Sequence, residues 1–532
     1  MKNIDPTKTK SWKKLKCHFK SIKKKSIKNL FKKDENRFKK FYFNFEDKIF
    51  VDFSKNILNL NTINLLINLA KECNLNKLIS YMYKGKKINN TENLSVLHVA
   101  LRDFDNLINN KKIKNKIYKE LKKIEKFSKK IISGKWKGCT GLPITDVVNI
   151  GIGGSEMGPK MIIEALNYYR NHIKVHFLSN VDNFYYNSLI KEINLETTIF
   201  IIVSKTFTTD ETLNNASKIK NWFLSKVNKK NIKRHFFAVS NNKKLAKNFG
   251  IYENNIFNLY KWVGGRYSLW SSVGISIAIC LGFKNFKKLL KGANSMDKHF
   301  FLSPFKKNIP VLAALISIWY NNFFKTETES IIIYSSYMTN FINYYQQLSM
   351  ESNGKNVDKN NKYIKKYKTG SIIWGGIGTN SQHTFCQLLH QGNRINLCDF
   401  IGIINSKKNK NKKLISNLLS QTHTLAFGDS LLLKNGELNK NNNIHLSVLG
   451  NKPSNTILLK RIDPYILGAL IAIYEHKTFV QGVIWNINSF DQFGVELGKK
   501  ISKDIEKNIE NKKIRKYDIS TNELIKIYNK IN

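Results

Sequence analysis

The chain has 532 residues, 42% hydrophobic and 12% aromatic, which is too long for one ordinary core and too apolar for a disordered polymer. Its net charge of +51 raises nucleic-acid or membrane-surface binding as a class. Asn and Ile are inflated alongside Lys, and the lysines are spread along the whole chain, so the excess reads as biased composition and a specific nucleic-acid partner is not expected.

In chain order, residues 1–120 read as mostly helical. Thr7–Trp12 precedes a periodic segment, and Asn61–Cys73 spaces Ile63, Leu66, Ile67 and Ala70 at helical intervals. Lys111–Lys130 is a charged helix with Ile113, Ile117, Leu121 and Ile124 on one stripe. At Asp146 the pattern changes to short apolar strands alternating with helices. Strands are expected at Val147–Ile150, Val175–Leu178 and Thr197–Val203, and helices at Met161–Leu166 and Glu211–Ser225, the last with Thr208 and Glu211 spaced as a capping box. Val273–Phe283 and Ile309–Tyr320 read as buried helices, too short for the roughly 18 residues of a membrane span. Beyond them come a strand at Ile331–Tyr334, a helix at Phe341–Leu348, a strand at Gly370–Trp374, a helix over Gln382–His390 and a strand at Leu397–Ile401. Ser406–Lys413 is a low-complexity insertion, Leu432–Asn443 a polar loop, and the chain from Asn511 a basic helical tail. The alternation predicts an α/β protein of two αβα sandwiches with parallel sheets. The expected boundaries are an N-terminal helical region 1–120 on the large domain, a first, small domain 121–288, a second, large one 289–510 and a helical tail 511–532.

Six scattered cysteines show no CxxC or zinc spacing, and no apolar leader follows the basic N-terminus. They read as reduced thiols of a cytoplasmic protein without a metal.

Two loops suit an oxyanion. Gly151-Ile152-Gly153-Gly154-Ser155-Glu156-Met157-Gly158-Pro159 sits between a strand and a helix, where glycines admit a ligand close to the backbone. It fails the dinucleotide fingerprint, since Glu156 stands where the third glycine belongs, and it lacks the Gly-Lys-Ser/Thr ending of a P-loop. Ser204-Lys205-Thr206-Phe207-Thr208-Thr209 gathers hydroxyls and an ammonium at the carboxyl end of a strand. Together they favour a sugar phosphate over a nucleotide.

Candidate chemistry centres on Tyr345-Gln346-Gln347-Leu348-Ser349-Met350-Glu351-Ser352-Asn353-Gly354-Lys355, where Glu351 is a lone carboxylate among amides and a hydroxyl. A carboxylate base could move a proton between two carbons of a sugar. Arg266, behind Gly264 and Gly265, offers a planar cation for an oxyanion. His390 is a natural proton shuttle, although a lone histidine at a helix end more often caps it. Gln492 and Lys499 stand seven apart, two turns along one expected helix face.

Taken in this order, these segments resemble the glucose-6-phosphate isomerase family, its bacterial branch in particular. Ser54-Lys55-Asn56, Val96–Arg102 and Tyr474–Gly482 extend the similarity over residues 3–530. The resemblance implies two sugar-isomerase (SIS) domains, an intertwined homodimer and cofactor-free interconversion of glucose 6-phosphate and fructose 6-phosphate in glycolysis and gluconeogenesis. It assigns Gly154 to the substrate site and Ser155, Ser204, Lys205, Thr206 and Thr209 to the phosphate, with Gln347 or Gln492 at the sugar. It makes Glu351 the C1–C2 base, has Arg266 steady the enediolate, and gives ring opening to His390 and Lys499, the histidine crossing the dimer interface. Four departures stand out: Asp210 for a glutamine, Gly376-Ile377 for Glu-Pro, Leu348-Ser349 before Met-Glu, and Lys452 for an arginine. A non-catalytic sugar-phosphate sensor would keep the phosphate loop and lose the base, and the retained Glu351, Arg266, His390 and Lys499 argue against it.

Overall fold

Residues 3–405, 410–428, 444–511 and 517–531 are described by a computed structural model, in which short runs rich in Ile, Val and Phe form two sheets. The first two strands, β1 (Tyr42–Phe45) and β2 (Ile49–Asp52), make an antiparallel hairpin. Next come β3 (Asp146–Ile150), β4 (Lys174–Leu178), β5 (Thr198–Val203), β6 (Phe236–Ser240) and β7 (Ile256–Asn258), all parallel, in the order β4-β3-β5-β6-β7. The last four, β8 (Thr328–Tyr334), β9 (Ile372–Ile377), β10 (Leu397–Ile403) and β11 (Ser454–Leu459), join the hairpin in the order β1-β2-β11-β10-β8-β9.

Alternate residues of the five-stranded sheet face opposite helical layers. Val148, Ile150, Phe200, Ile202, Phe236 and Ala238 pack under Leu189 and under Ala216, Ile219 and Phe223 of the helix Asp210–Leu224. On the other face Phe237 and Phe257 meet the ring of Phe127, from the helix Lys111–Ile132, at 4.5 and 5.5 Å between centroids. The larger sheet is built alike: Ile332, Tyr334, Cys398 and Phe400 lie under Cys386, Leu389, Leu418 and Leu425. The αβα sandwich on both counts agrees with the sequence. A wholly parallel larger sheet does not, because β2 pairs antiparallel with β11. The hairpin also interrupts residues 1–120, which are otherwise mostly helical as the sequence suggests. Its alternation is short, and the sheet it completes lies some 400 positions further on, as the pairing of Asp52 with Thr456 illustrates.

The helix Pro464–Ile484 is buried along almost its whole length and crosses the helix Phe283–Leu302 closely; a Cβ at Gly468 would collide with the Leu289 carbonyl. Its charged residues are matched by partners far away in sequence. Arg102 bonds both oxygens of Asp297 at 2.8 Å and lies 2.7 Å from Glu475, while Lys477 meets Glu329 at 2.8 Å. Removing one partner of such a dry pair strands the other with an uncompensated buried charge. Among the described residues no helix is long and apolar enough to cross a membrane.

By compactness the chain separates after Ser489. Residues 490–532 carry the helices Glu496–Glu510 and Ile519–Ile531. Gln492 precedes the first of these, with a short turn Phe493–Val495 between, so it does not share a helix face with Lys499 as the spacing suggested. Half of Ser406–Lys413 and all of Leu432–Asn443 lie outside the described residues, and a helix begins at Lys412. Of the helix expected over Gln382–His390 only the later half forms, as Cys386–Gln391, with a separate short helix Gly378–Ser381 before it.

Candidate active site

The chain passes from β3 to β4 on one side and then to β5 on the other, so the segments leaving β3 and β5 flank the point where the strand order reverses. Open α/β sheets hold ligands in that crevice. The two exits touch: a Cβ at Gly151 would stand 2.9 Å from the Val203 carbonyl. Gly153 has φ +64°, and a Cβ there would lie 3.1 Å from Gln347 Nε2. At Gly154 a Cβ would collide with the Gly265 carbonyl and stand 2.7 Å from Arg266 N. The glycine turn is therefore pressed against the arginine turn and against Gln347, with Ser155 closing it through its carbonyl, which accepts from Asn149 Nδ2 at 3.1 Å.

The loop after β5 is pinned by Phe207, buried against the Phe249 ring and held at φ +55°. With that ring inside, Thr206 and Thr208 face outward and share a 2.6 Å hydrogen bond, while buried Ser204 meets Thr209 at 3.0 Å between hydroxyls. The expected capping box at Thr208 is absent: Thr209 precedes the helix without a side-chain bond to it, its hydroxyl being engaged with Ser204. Asp210, one of the departures from the family pattern, is exposed in the first helical turn. Lys205 Nζ donates to the carbonyls of Lys261 at 2.9 Å and Val263 at 2.8 Å. Burial lowers its pKa, Arg266 pushes the same way, and Glu92 opposes both.

Glu351 closes a wide π turn, Gln347–Glu351, that continues the helix Thr339–Gln346 beyond β8. Such turns place side chains off the regular helical stripe. Here the turn brings Gln347 Nε2 within 3.2 Å of Glu351 Oε2. Arg266 Nη1 reaches the same oxygen at 3.0 Å. The Glu351 side chain keeps 24% of its surface exposed and that of Arg266 only 2%, so a small molecule can reach the carboxylate while the guanidinium is fixed behind it. Gln347 Oε1 has no donor among the described residues.

Of the residues singled out from the sequence, Gly154, Arg266, Gln347 and Glu351 meet at one place, and Lys205 is tied to it through the chain segment Lys261–Arg266. His390 does not join them by any described contact. Its Nε2 lies 2.7 Å from the amide oxygen of Gln421, which leaves Nδ1 as the basic nitrogen, buried and without a partner among the described residues. Lys499 pairs with Glu496 at 3.3 Å on the residues 490–532. Sequence reasoning missed Ser352, which accepts from Arg266 Nε at 2.7 Å, and Tyr267, whose hydroxyl lies 3.1 Å from Ser352 Oγ. Ser352 stood inside the quoted motif without a feature to mark it. The carbonyls of Val263 and Ser489, which take Lys205 and Arg266, carry no sequence signal at all.

Glycine and hydroxyl loops at a strand-order reversal, with a guanidinium-held carboxylate beyond them, define an α/β protein of the sugar-isomerase-domain class. The family profile described as phosphoglucose isomerase matches residues 52–525. The chain is 53% identical over 544 residues to the glucose-6-phosphate isomerase of Wigglesworthia glossinidia brevipalpis, covering 99% of each chain. It is 52% identical over 547 residues to that of Buchnera aphidicola subsp. Schizaphis graminum, covering 99% of this chain and 98% of the relative. It is similar to the crystal structure of a glucose-6-phosphate isomerase from Chlamydia trachomatis, with a TM-score of 0.87, 28% identity, and 99% and 100% of the two chains covered. The chain belongs to the phosphoglucose isomerase family.

Proposed function

We propose that this chain interconverts glucose 6-phosphate and fructose 6-phosphate, the aldose–ketose isomerisation of glycolysis and gluconeogenesis, through an enediolate. The observation that carries the mechanism is the single carboxylate oxygen of Glu351 held by Arg266 at 3.0 Å and Gln347 at 3.2 Å, beside the Gly153-Gly154 turn.

The base Glu351 takes a proton from one of C1 and C2 and returns it to the other, while a hydroxyl proton passes between O1 and O2 so that the carbonyl changes carbon. The substrate keeps its electrons, so the step balances without an external oxidant or reductant. Negative charge grows on the two substrate oxygens as the proton leaves, and a guanidinium fixed in a dry site stabilises it without reorganising. Arg266 fills that role. Gln347, with one amide end on Glu351 and the other free to accept, holds a sugar hydroxyl, joined by Gln492. Ser155, Ser204, Lys205, Thr206 and Thr209, ahead of the helix Asp210–Leu224, hold the phosphate, whose charge the helix N-terminus favours. Lys205 has its ammonium steadied by two carbonyls, and a phosphate dianion adds to the counter-charge of Glu92 against the cost of burial. His390 and Lys499 open the sugar ring, the histidine serving the site of a second copy in a homodimer. We place the enzyme in the cytoplasm, which its unpaired cysteines fit.

The test couples glucose 6-phosphate formed from fructose 6-phosphate to a dehydrogenase, with wild type and Glu351→Gln compared. The substitution keeps shape and removes the base, and kcat should fall by roughly three orders of magnitude. An undiminished kcat would remove Glu351 from the chemistry.

A further inference from the structure

We propose that Ser352 is a positioning residue for this reaction, its hydroxyl fixing the plane of the Arg266 guanidinium so that Nη1 meets the carboxylate of Glu351. The proposal rests on the isomerase reading above.

In the guanidinium of Arg266, Nε donates to Ser352 Oγ at 2.7 Å, Nη1 to Glu351 at 3.0 Å and Nη2 to the Ser489 carbonyl at 2.8 Å. Nε sits on the pivot about which the planar group turns, so the bond at Nε sets where both Nη atoms point. Ser352 is 0% exposed, and no solvent can take over its acceptor role. It follows Glu351 directly, so base and clamp ride on one turn of backbone and keep their spacing.

The clamp is itself held. Ser352 Oγ shares a 3.1 Å hydrogen bond with the hydroxyl of Tyr267, the residue after Arg266, so residues 266–267 and 351–352 are tied by three side-chain bonds. The Tyr267 ring lies on buried His98 at 4.6 Å between centroids. Burial pushes the Tyr267 phenol up to about 12, which keeps it a neutral donor and acceptor through the working range. On the far side, Ser489 Oγ bonds Asn353 Oδ1 at 2.8 Å, and Asn353 Nδ2 reaches the Thr478 carbonyl at 3.1 Å. Ser352, Tyr267 and Ser489 are thus each anchored, and without the Ser352 hydroxyl Nε–H would lose the acceptor that fixes its direction in a dry site. The guanidinium would turn to find another acceptor and leave the line of the carboxylate.

Ser352→Thr and Ser352→Val separate this role from packing, because both add the same volume and only Thr keeps the hydroxyl. The measurements are kcat and KM for fructose 6-phosphate, together with the inhibition constant of arabinonate 5-phosphate, an aldonate whose carboxylate imitates the enediolate oxygens. The expected result is a kcat for Val roughly 10- to 100-fold below that of Thr, with KM values within about threefold and aldonate affinity falling in step with kcat. Equal kcat in the two variants, or a change confined to KM, overturns the positioning role, since a merely structural serine would affect both variants alike. An inactive wild type would instead overturn the isomerase reading on which the proposal rests.

Discussion

At Gly154 the backbone passes so near the Gly264–Arg266 turn that the smallest side chain would strike the Gly265 carbonyl and crowd Arg266 N at 2.7 Å. The sequence suggests a phosphate cradle in this loop; the structure supplies a reason of its own for the glycine, the arginine turn pressed against it. Gly154→Ala should therefore displace Arg266 as well as the loop. Overpacking of this kind costs about 1–3 kcal/mol of stability, and a shift of the order of 1 Å at a catalytic group costs roughly 100-fold in rate. Thermal melts and kcat for fructose 6-phosphate, measured on the same preparation, check both parts; a variant with wild-type kcat would show that the arginine turn does not depend on this contact.

At the scale of elements, His299 joins the helix Phe283–Leu302 to the helix Ile309–Ile318. Its Nε2 accepts from the Ile309 N–H at 3.1 Å and its Nδ1 lies 3.1 Å from Ser303 Oγ, so the ring is neutral with the proton on Nδ1. Burial pulls its pKa down to about 4 from the usual 6.5, with His476 adding to the effect and Glu46 opposing it. Between those values the unfolded chain binds a proton that the folded one refuses, so stability is full above pH 6.5 and is lost as the pH falls towards 4. The window is worth about 3 kcal/mol for this one ring. His299→Gln keeps an acceptor for Ile309 without a titrating ring, and urea melts from pH 7 to pH 4.5 should show a shallower loss of stability than in wild type. Parallel slopes for the two proteins would assign the acid sensitivity to other groups.

For the whole molecule, the decisive prediction concerns a second copy. His390 lies on a short helix, bonded to Gln421 at 2.7 Å, and no described contact links it to Glu351 of its own chain. If it serves the partner's site, mixing Glu351→Gln with His390→Ala subunits creates hybrids with one site built wholly from wild-type groups. Refolding the two inactive variants together in equal amounts should then recover about a quarter of wild-type activity, half the dimers being hybrids with one good site each. Variants that stay inactive on mixing would place the histidine and the base of a site in the same chain.

The sequence by itself determined the α/β class, and it pointed to two candidate ligand loops, to Glu351 with its flanking amide and to the arginine behind two glycines. These are short-range signals: strand runs, turn residues and charge in a polar motif are written in neighbouring positions. It did not determine that β2 completes a sheet with β11, nor that the helix after β8 widens into a π turn under Glu351, since pairing and local widening depend on what packs from elsewhere. Gln492 fell off the expected helix face because a helix start without a cap gives spacing alone to argue from. Val96–Arg102 and Tyr474–Gly482 were visible only as matching stretches until the fold set Arg102 against Asp297 and Glu475. The grip on Arg266 was invisible for the same reason: among its acceptors are a plain serine and a backbone carbonyl, groups every chain has in abundance. Only the tertiary structure brings them to a guanidinium from which water is excluded, and burial is what turns an ordinary hydroxyl into a determinant of geometry.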